Sequence, residues 1–292
     1  MHRILESVNH VAGLAPAPHH LVRLSSLLCD ANADVEEVHE IIRCDPNLTV
    51  SILRWCNSAM FRGTEPVTST EEALLRIGFN PVVELVMILA TTELYALPPE
   101  AETHLGGLWN HCLLTALLTR ELARHRSAIA RSAFTAGLLH DIGKVLLIKA
   151  APKEYSRTLE RAMQRHKPCV DQEEEEFGSN HATIAGEILG RWRLPSQVVT
   201  GIWYHHHASL SGAEHPLGCC IELADALAYA VGNGLKGQYT RHRETSALLE
   251  TLGVEPTAIA EILRVALAEL EEMKPHVMLP PCKAPSFATA AA

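Results

Sequence analysis

Gly137-Leu138-Leu139-His140-Asp141-Ile142-Gly143-Lys144 is the stretch on which the reading of this chain turns. It lies in the most apolar segment of the second half, and its spacing predicts one central buried helix over 129–148. A helix of that kind has no reason to carry His, Asp and Lys together. Burying an ionisable group without a partner costs several kcal/mol. A metal ion is the simplest partner for both His140 and Asp141. The alternative is a polar cluster hydrogen-bonded within the core.

Outward from this stretch the helical pattern continues and strand signals are sparse. Asp34 is placed to cap a helix over 35–43. Asp45-Pro46 reads as a cap followed by proline at the first helical position, opening a helix to about Asn57. Ser69 or Thr70 precedes a short helix that ends at Gly78. Asn80-Pro81 repeats the cap-and-proline device before a helix to about Leu97. Residues 1–97 therefore read as a bundle of short helices. Leu97-Pro98-Pro99 and the acidic, glycine-containing residues after it read as a linker over 98–107. Residues 108–273 read as a second helical unit. Its helices are predicted from Trp109 to about Arg126, over 129–148, from Pro152 to near His166, from His181 to Trp192, from Pro195 to about His206, from Pro216 to Val231 and from Pro256 to Met273. Residues 274–292 read as a tail.

Composition narrows the function classes. The 292 residues are 47% hydrophobic, 20% charged and 5% aromatic, which excludes a disordered, collagen-like or coiled-coil chain. The formal charge is −9 and no long basic run interrupts it, so nucleic-acid binding is not expected. None of the eight cysteines forms C-x-x-C, and the N-terminus lacks the basic start and apolar run of a secretory signal. The apolar run 82–92 contains Glu84 and is too short to span a bilayer. These features point to a cytoplasmic protein with reduced thiols and no membrane partner.

Seventeen histidines are present, and position decides their meaning. His111, His181, His205 and His206 fall on or beside apolar helices, and Asp225 sits inside Ile221-Glu222-Leu223-Ala224-Asp225-Ala226-Leu227. With His140 and Asp141 they form a mixed nitrogen and carboxylate set, which suits one or two divalent ions of Fe, Mn, Ni or Zn better than Mg. His104, His125, His166, His215, His242 and His276 read as surface residues, as do His2, His10, His19, His20 and His39. The acidic run 173–176 reads as a solvated face, from which one glutamate can serve as an outer partner to a histidine.

The order His … His-Asp-x-Gly-Lys … His … His-His … Asp resembles the HD superfamily of metal-dependent phosphohydrolases. The N-terminal half adds Asp45-Pro46-Asn47-Leu48-Thr49-Val50-Ser51-Ile52-Leu53-Arg54-Trp55-Cys56-Asn57-Ser58-Ala59-Met60-Phe61, Ala73-Leu74-Leu75-Arg76-Ile77-Gly78 and later Trp192-Arg193-Leu194-Pro195. These segments resemble HDOD proteins, the HD-related output domain. The resemblance covers roughly 10–235. It implies an all-α fold in which the N-terminal bundle packs on an HD-like helical bundle.

It also implies a bacterial signal-transduction role, with a signalling protein partner acting in trans. By the HD pattern His111, His140, Asp141 and Asp225 hold one metal, and Asp141 bridges to a second held by His181, His205 and His206. The alternative function is hydrolysis of a phosphorylated small molecule, a nucleotide or a cyclic nucleotide, carried by Asp141 and Lys144. Lys144 either contacts a substrate phosphate or forms a salt bridge, to Asp141 three residues earlier on nearly the same helical face or to an acid from a neighbouring helix. Many HDOD members lack HD ligands, and this chain keeps the set. It lacks the Gly-Tyr-Pro element of HD domains that hydrolyse cyclic di-GMP, reading His207-Ala208-Ser209 after the paired histidines, which counts against that substrate.

Overall fold

Caps, prolines and apolar periodicity yield helices throughout. The computed structural model describes residues 19–29, 35–58, 61, 63, 65–92, 94–97, 105, 107–207, 215–235 and 245–277, and every regular element among them is a helix. The first half contributes α1 (His19–Cys29), α2 (Val35–Arg43), α3 (Pro46–Cys56), α4 (Thr70–Ile77) and α5 (Phe79–Thr91). Asp45 accepts from the backbone N–H groups of Asn47 and Leu48, and Ser69 from that of Glu72. The expected cap Asp34 and most of the expected linker lie outside the described residues.

Two boundaries differ from expectation. Helix α5 begins at Phe79 behind Gly78, whose φ of +88° sets the turn, so Asn80 and Pro81 sit inside the first helical turn. There proline forfeits no hydrogen bond. The helix ends at Thr91 instead of near Leu97. The hydroxyls of Thr91 and Thr92 turn back onto the carbonyls of Met87 and Ile88, competing for the acceptors that a continuing ladder uses. Asn57 closes α3: its Nδ2 donates to the carbonyls of Leu53 and Val67, and its Oδ1 accepts from Val67 N. His39 is not a surface residue. It is buried between α2 and α4, with Nε2 2.7 Å from Thr70 Oγ1 and 2.9 Å from Glu71 Oε1.

The second half contributes α6 (Leu108–Ala123), α7 (Ala130–Leu139), α8 (Ile142–Ala150), α9 (Pro152–Gln164), α10 (Cys169–Phe177), α11 (His181–Arg191), α12 (Ser196–Trp203), α13 (Pro216–Ala230), α14 (Thr245–Leu252) and α15 (Ile259–Met273). The single helix expected over 129–148 is two helices, broken at His140 and Asp141. The His140 ring donates through Nδ1 to Gly137 O at 2.8 Å, occupying a carbonyl that the helix leaves open at its end. Helix α12 stops at Trp203, so His205 and His206 lie in the turn after it. Helices α1, α10 and α14 have no counterpart among the sequence expectations. The chain stays packed past residue 274: Val277 is buried, and its carbonyl accepts from Trp109 Nε1 at 3.1 Å.

Helices α6 and α7 form the centre. Gly137 lets them touch, since a Cβ there would lie 2.7 Å from Ala116 Cα and 2.9 Å from Thr115 O. Helices α12 and α13 pack over this pair, α15 runs along α6, and α11 lies between α8 and α12. The first half docks through α1 and α5 onto α7. Tyr95 OH donates to Leu138 O, Lys149 Nζ to Leu94 O, and Arg120 Nη1 to Glu84 Oε2 across that junction. The apolar residues of both halves form one continuous core. Among the described residues no helix is long and apolar enough to cross a membrane.

Candidate metal centre

The fold brings every residue of the predicted set to one place. His111 comes from the first turn of α6. His140 and Asp141 occupy the break between α7 and α8, and Lys144 follows on α8. His181 opens α11, His205 and His206 lie in the turn after α12, and Asp225 lies on α13. None of these residues is more than 7% exposed.

Asp141 is central. Its Oδ2 lies 2.6 Å from Lys144 Nζ, 3.5 Å from His140 Nε2 and 3.9 Å from His111 Nε2. Its other oxygen, Oδ1, lies 3.2 Å from His181 Nε2. His111 Nε2 is 2.9 Å from Asp225 Oδ1, and His181 Nε2 is 2.9 Å from His206 Nε2. Two groups emerge whose ligand atoms lie within 4.8 Å of one another: His111, His140 and Asp141, and His181, His205 and His206.

The outer ring nitrogens say what the inner ones are for. His111 donates through Nδ1 to Asn233 O, His140 to Gly137 O, and His205 to Ile202 O. His181 donates through Nδ1 to Glu173 Oε2 at 2.6 Å. A ring that gives its proton at Nδ1 presents a lone pair at Nε2, the form a metal requires. The Nε2 atoms of His111, His140 and His181 face carboxylate oxygens, so acceptors face acceptors; His206, whose Nδ1 has no hydrogen-bond partner, meets His181 Nε2 through its own Nε2. The Nε2 atoms of His140 and His205 have no hydrogen-bond partner although fully buried. A proton on His181 would satisfy its contact with Asp141, but it leaves His140 and His205 unanswered. A bound cation satisfies all of them, so these residues fit a divalent metal.

The electrostatics agree. Burial pushes the Asp141 carboxyl up, yet Lys144 and the surrounding imidazoles hold it well below the usual range. Lys144 is likewise raised by Asp141 against the effect of burial, so the pair is charged. The lysine is bound to the acid, the second of the two roles left open by the sequence. Burial lowers His140, and burial together with neighbouring imidazoles drives His205 and His206 well below the ordinary histidine range. Glu173, opposing burial, raises His181.

A pH dependence follows from these directions. For His140, His205 and His206 the unfolded chain binds more protons than the folded one once pH falls below about 6.5. Each then subtracts up to about 1.4 kcal/mol of stability per pH unit, while His181 works in the opposite sense. Ligating imidazoles must be neutral, so a metal held by these rings would be lost along with the stability. Elemental analysis after equilibration, with urea melts at each pH, is expected to be flat above about pH 7 and to fall steeply below about 6.5. A profile level to about pH 5 would contradict the assignment of these rings as neutral ligands.

The sequence anticipates one supporting glutamate without saying which, and the other supporting residues escape it. The acidic run is not a solvated face throughout: Glu173 is fully buried, and it is the glutamate that partners a histidine. Tyr155 OH donates to its Oε1 at 2.6 Å, and Cys169 Sγ does so at 3.2 Å. The Tyr229 ring meets His111 edge-on, with centroids 5.1 Å apart. The amphipathic spacing of α10 is the available signal for Glu173, obscured by four consecutive glutamates. His207 is half-buried in the turn and outside both ligand groups.

The HDOD domain family model matches residues 14–208. An HDOD domain protein from Geobacter sulfurreducens superposes with a TM-score of 0.74 at 20% identity, covering 94% of this chain and 98% of its own. A candidate phosphohydrolase from Shewanella amazonensis gives 0.73 at 22% identity, covering 93% and 98%. A candidate signal-transduction protein from Marinobacter aquaeolei gives 0.76 at 22% identity, covering 92% and 60%. At these identities the likeness establishes the fold. An uncharacterized protein of Treponema pallidum is 24% identical over 213 residues, which is 71% of this chain, and the chain spans only 40% of that relative's length. With its helical architecture and with the family match running from ahead of α1 to just past the paired histidines, the chain belongs to the HDOD domain family.

Proposed function

We propose that the chain is a bacterial signal-transduction module whose output depends on a binuclear metal centre. The observation that carries this reading is the convergence of buried, Nδ1-anchored imidazoles with unpartnered Nε2 atoms on a carboxylate whose two oxygens face two ligand groups. His111, His140 and Asp225 would hold one ion and His181, His205 and His206 the other, with Asp141 between them. The donor set favours Fe, Mn, Ni or Zn. The ligands are closed off from solvent, which suits a centre that holds the α6, α7, α11, α12 and α13 segments in one arrangement and presents that arrangement to a signalling protein in trans.

A second reading, metal-dependent phosphohydrolase, is favoured by Asp141 itself. A carboxylate between two metals is suited to an in-line displacement on a phosphoester. Such metals lower the pKa of bound water and stabilise both attacking and leaving oxygens. In this reading Lys144 steadies the charge of Asp141, and contact with a phosphate requires it to leave that pair. Purified protein reconstituted with Mn or Fe and offered phosphodiesters and nucleotides separates the two. Metal bound without turnover supports the module, and turnover abolished by His140→Ala establishes the hydrolase. Purified and reconstituted protein devoid of transition metal overturns both.

A further inference from the structure

We propose that Glu173 is a positioning residue for one side of this centre, setting the metal affinity of the His181 group without affecting the His111 group. The proposal rests on the two-metal reading above. Three of the anchored rings, on His111, His140 and His205, give their Nδ1 proton to a backbone carbonyl, which is neutral and fixed by its own chain. His181 alone gives it to a side-chain carboxylate.

The two oxygens of that carboxylate divide the work. Oε1 is the anchor, accepting from Tyr155 OH on α9 and from Cys169 Sγ one turn earlier on α10. Oε2 serves His181 twice, accepting from the ring at 2.6 Å and from the backbone N–H at 2.8 Å. His181 is the first residue of α11, so this N–H is one that the helix leaves unbonded. One carboxylate therefore fixes the direction of the ring and the nitrogen that carries the proton, and it shares the capping of the helix start with Asn180, whose Oδ1 accepts from Thr183 N–H. Its negative charge also makes the imidazole a stronger donor at Nε2.

The effect is confined by geometry. The rings of His111 and His140 are anchored on Asn233 O and Gly137 O instead of on Glu173. His205, in the same group as His181, keeps its own carbonyl from Ile202. A carboxylate partner to a ligating histidine is typically worth about 10- to 100-fold in metal affinity. That loss should fall on one ion of the pair.

The experiment titrates metal-free full-length protein with Co(II), reading the visible absorption of the bound ion and its stoichiometry by elemental analysis. Wild type is expected to take up two ions. Glu173→Gln is expected to retain one with wild-type affinity and to bind the second about 10- to 100-fold more weakly. His111→Ala is expected to show the complementary pattern, keeping the ion that Glu173→Gln weakens. Tyr155→Phe removes one anchor while preserving the ring, and should weaken the same ion by a smaller factor. It serves as the test if Glu173→Gln fails to fold. Two ions bound at unchanged affinity in Glu173→Gln overturn the proposal. So does equal weakening of both ions, in Glu173→Gln or in Tyr155→Phe, which would mark Glu173 as a general brace. Wild type binding fewer than two ions overturns the two-metal reading instead, and the proposal with it.

Discussion

Asp141→Asn is expected to empty the centre of metal and to cost the metal-free fold roughly 3–5 kcal/mol. Asp141 and Lys144 are 1% and 3% exposed and lie 2.6 Å apart. The pair gains little over an apolar replacement, because both charges have been taken out of water. Breaking it is a different matter. Asparagine keeps the shape of the aspartate, so the lysine ammonium stays where it is with its counter-charge gone. The burial that was opposing its protonation then prevails, and the side chain must either discharge or drag its head to solvent through a packed core.

The same substitution removes the carboxylate that lies between the two ligand groups. Metal content by elemental analysis should fall to background, and urea denaturation of metal-free samples should give the stability loss. Adding Lys144→Met to Asp141→Asn should recover a large part of that loss without recovering metal, since it replaces the stranded charge with an apolar chain of similar length. Wild-type metal content in Asp141→Asn would mean that Asp141 is not a ligand.

Gly143→Ala is expected to be as damaging by a steric route. A Cβ at this position would lie 1.9 Å from the carbonyl oxygen of His181, 2.7 Å from its carbonyl carbon and 2.9 Å from its Cα. All three are backbone atoms at the start of α11, so no rotamer change relieves the clash. Either α8 or the start of α11 must move, and the second takes His181 away from Asp141 and Glu173 together. The expected cost is about 3 kcal/mol or more, near the upper end for overpacking, with a loss of metal affinity alongside it. Gly190→Ala, also on α11, is the control. Its Cβ would meet nothing nearer than 3.8 Å, and alanine is preferred to glycine in a helix by up to about 1 kcal/mol. Thermal melts of the two variants should therefore move in opposite directions. A Gly143→Ala protein as stable as wild type would show that the helices are not in backbone contact.

The glycine of His-Asp-x-Gly-Lys thus has a packing reason that the linear motif does not disclose. The same holds for the motif's first two residues. Apolar periodicity makes 129–148 a single helix, because periodicity registers which residues are buried and is blind to a break that leaves them buried. The break at His140 depends on a side-chain hydrogen bond to Gly137 O and on the close seating of α8 against α11. In a continuous helix adjacent side chains project about 100° apart, so His140 and Asp141 would not both face one centre.

Local chemistry is legible where it acts over a few residues. Asp45 caps α3 and Ser69 caps α4 because an acceptor side chain beside orphan N–H groups needs no distant partner. The end of α5 is harder to place, because apolar residues continue beyond Thr91 while the threonine hydroxyls that compete for its carbonyls are a weaker signal. His39 reads as a surface residue in the sequence because its partners Thr70 and Glu71 lie on another helix, 31 and 32 positions away.

Residue type and spacing alone establish that the chain is helical and that its histidines and aspartates of interest lie in apolar surroundings; that these residues belong together is what the resemblance to HD proteins implies. Packing adds the rest: which nitrogen of each anchored ring faces inward, that Lys144 is held by Asp141, that the candidate ligand atoms fall into two groups beside Asp141, and that Glu173 stands behind His181. The Lys144 pair and the anchors of His140 and His205 join residues three apart, whereas the others depend on atoms from different segments meeting within about 3 Å, the range over which a hydrogen bond or ion pair has its strength. Spacing along a chain carries no information at that scale once the partners are separated by a turn of unknown geometry.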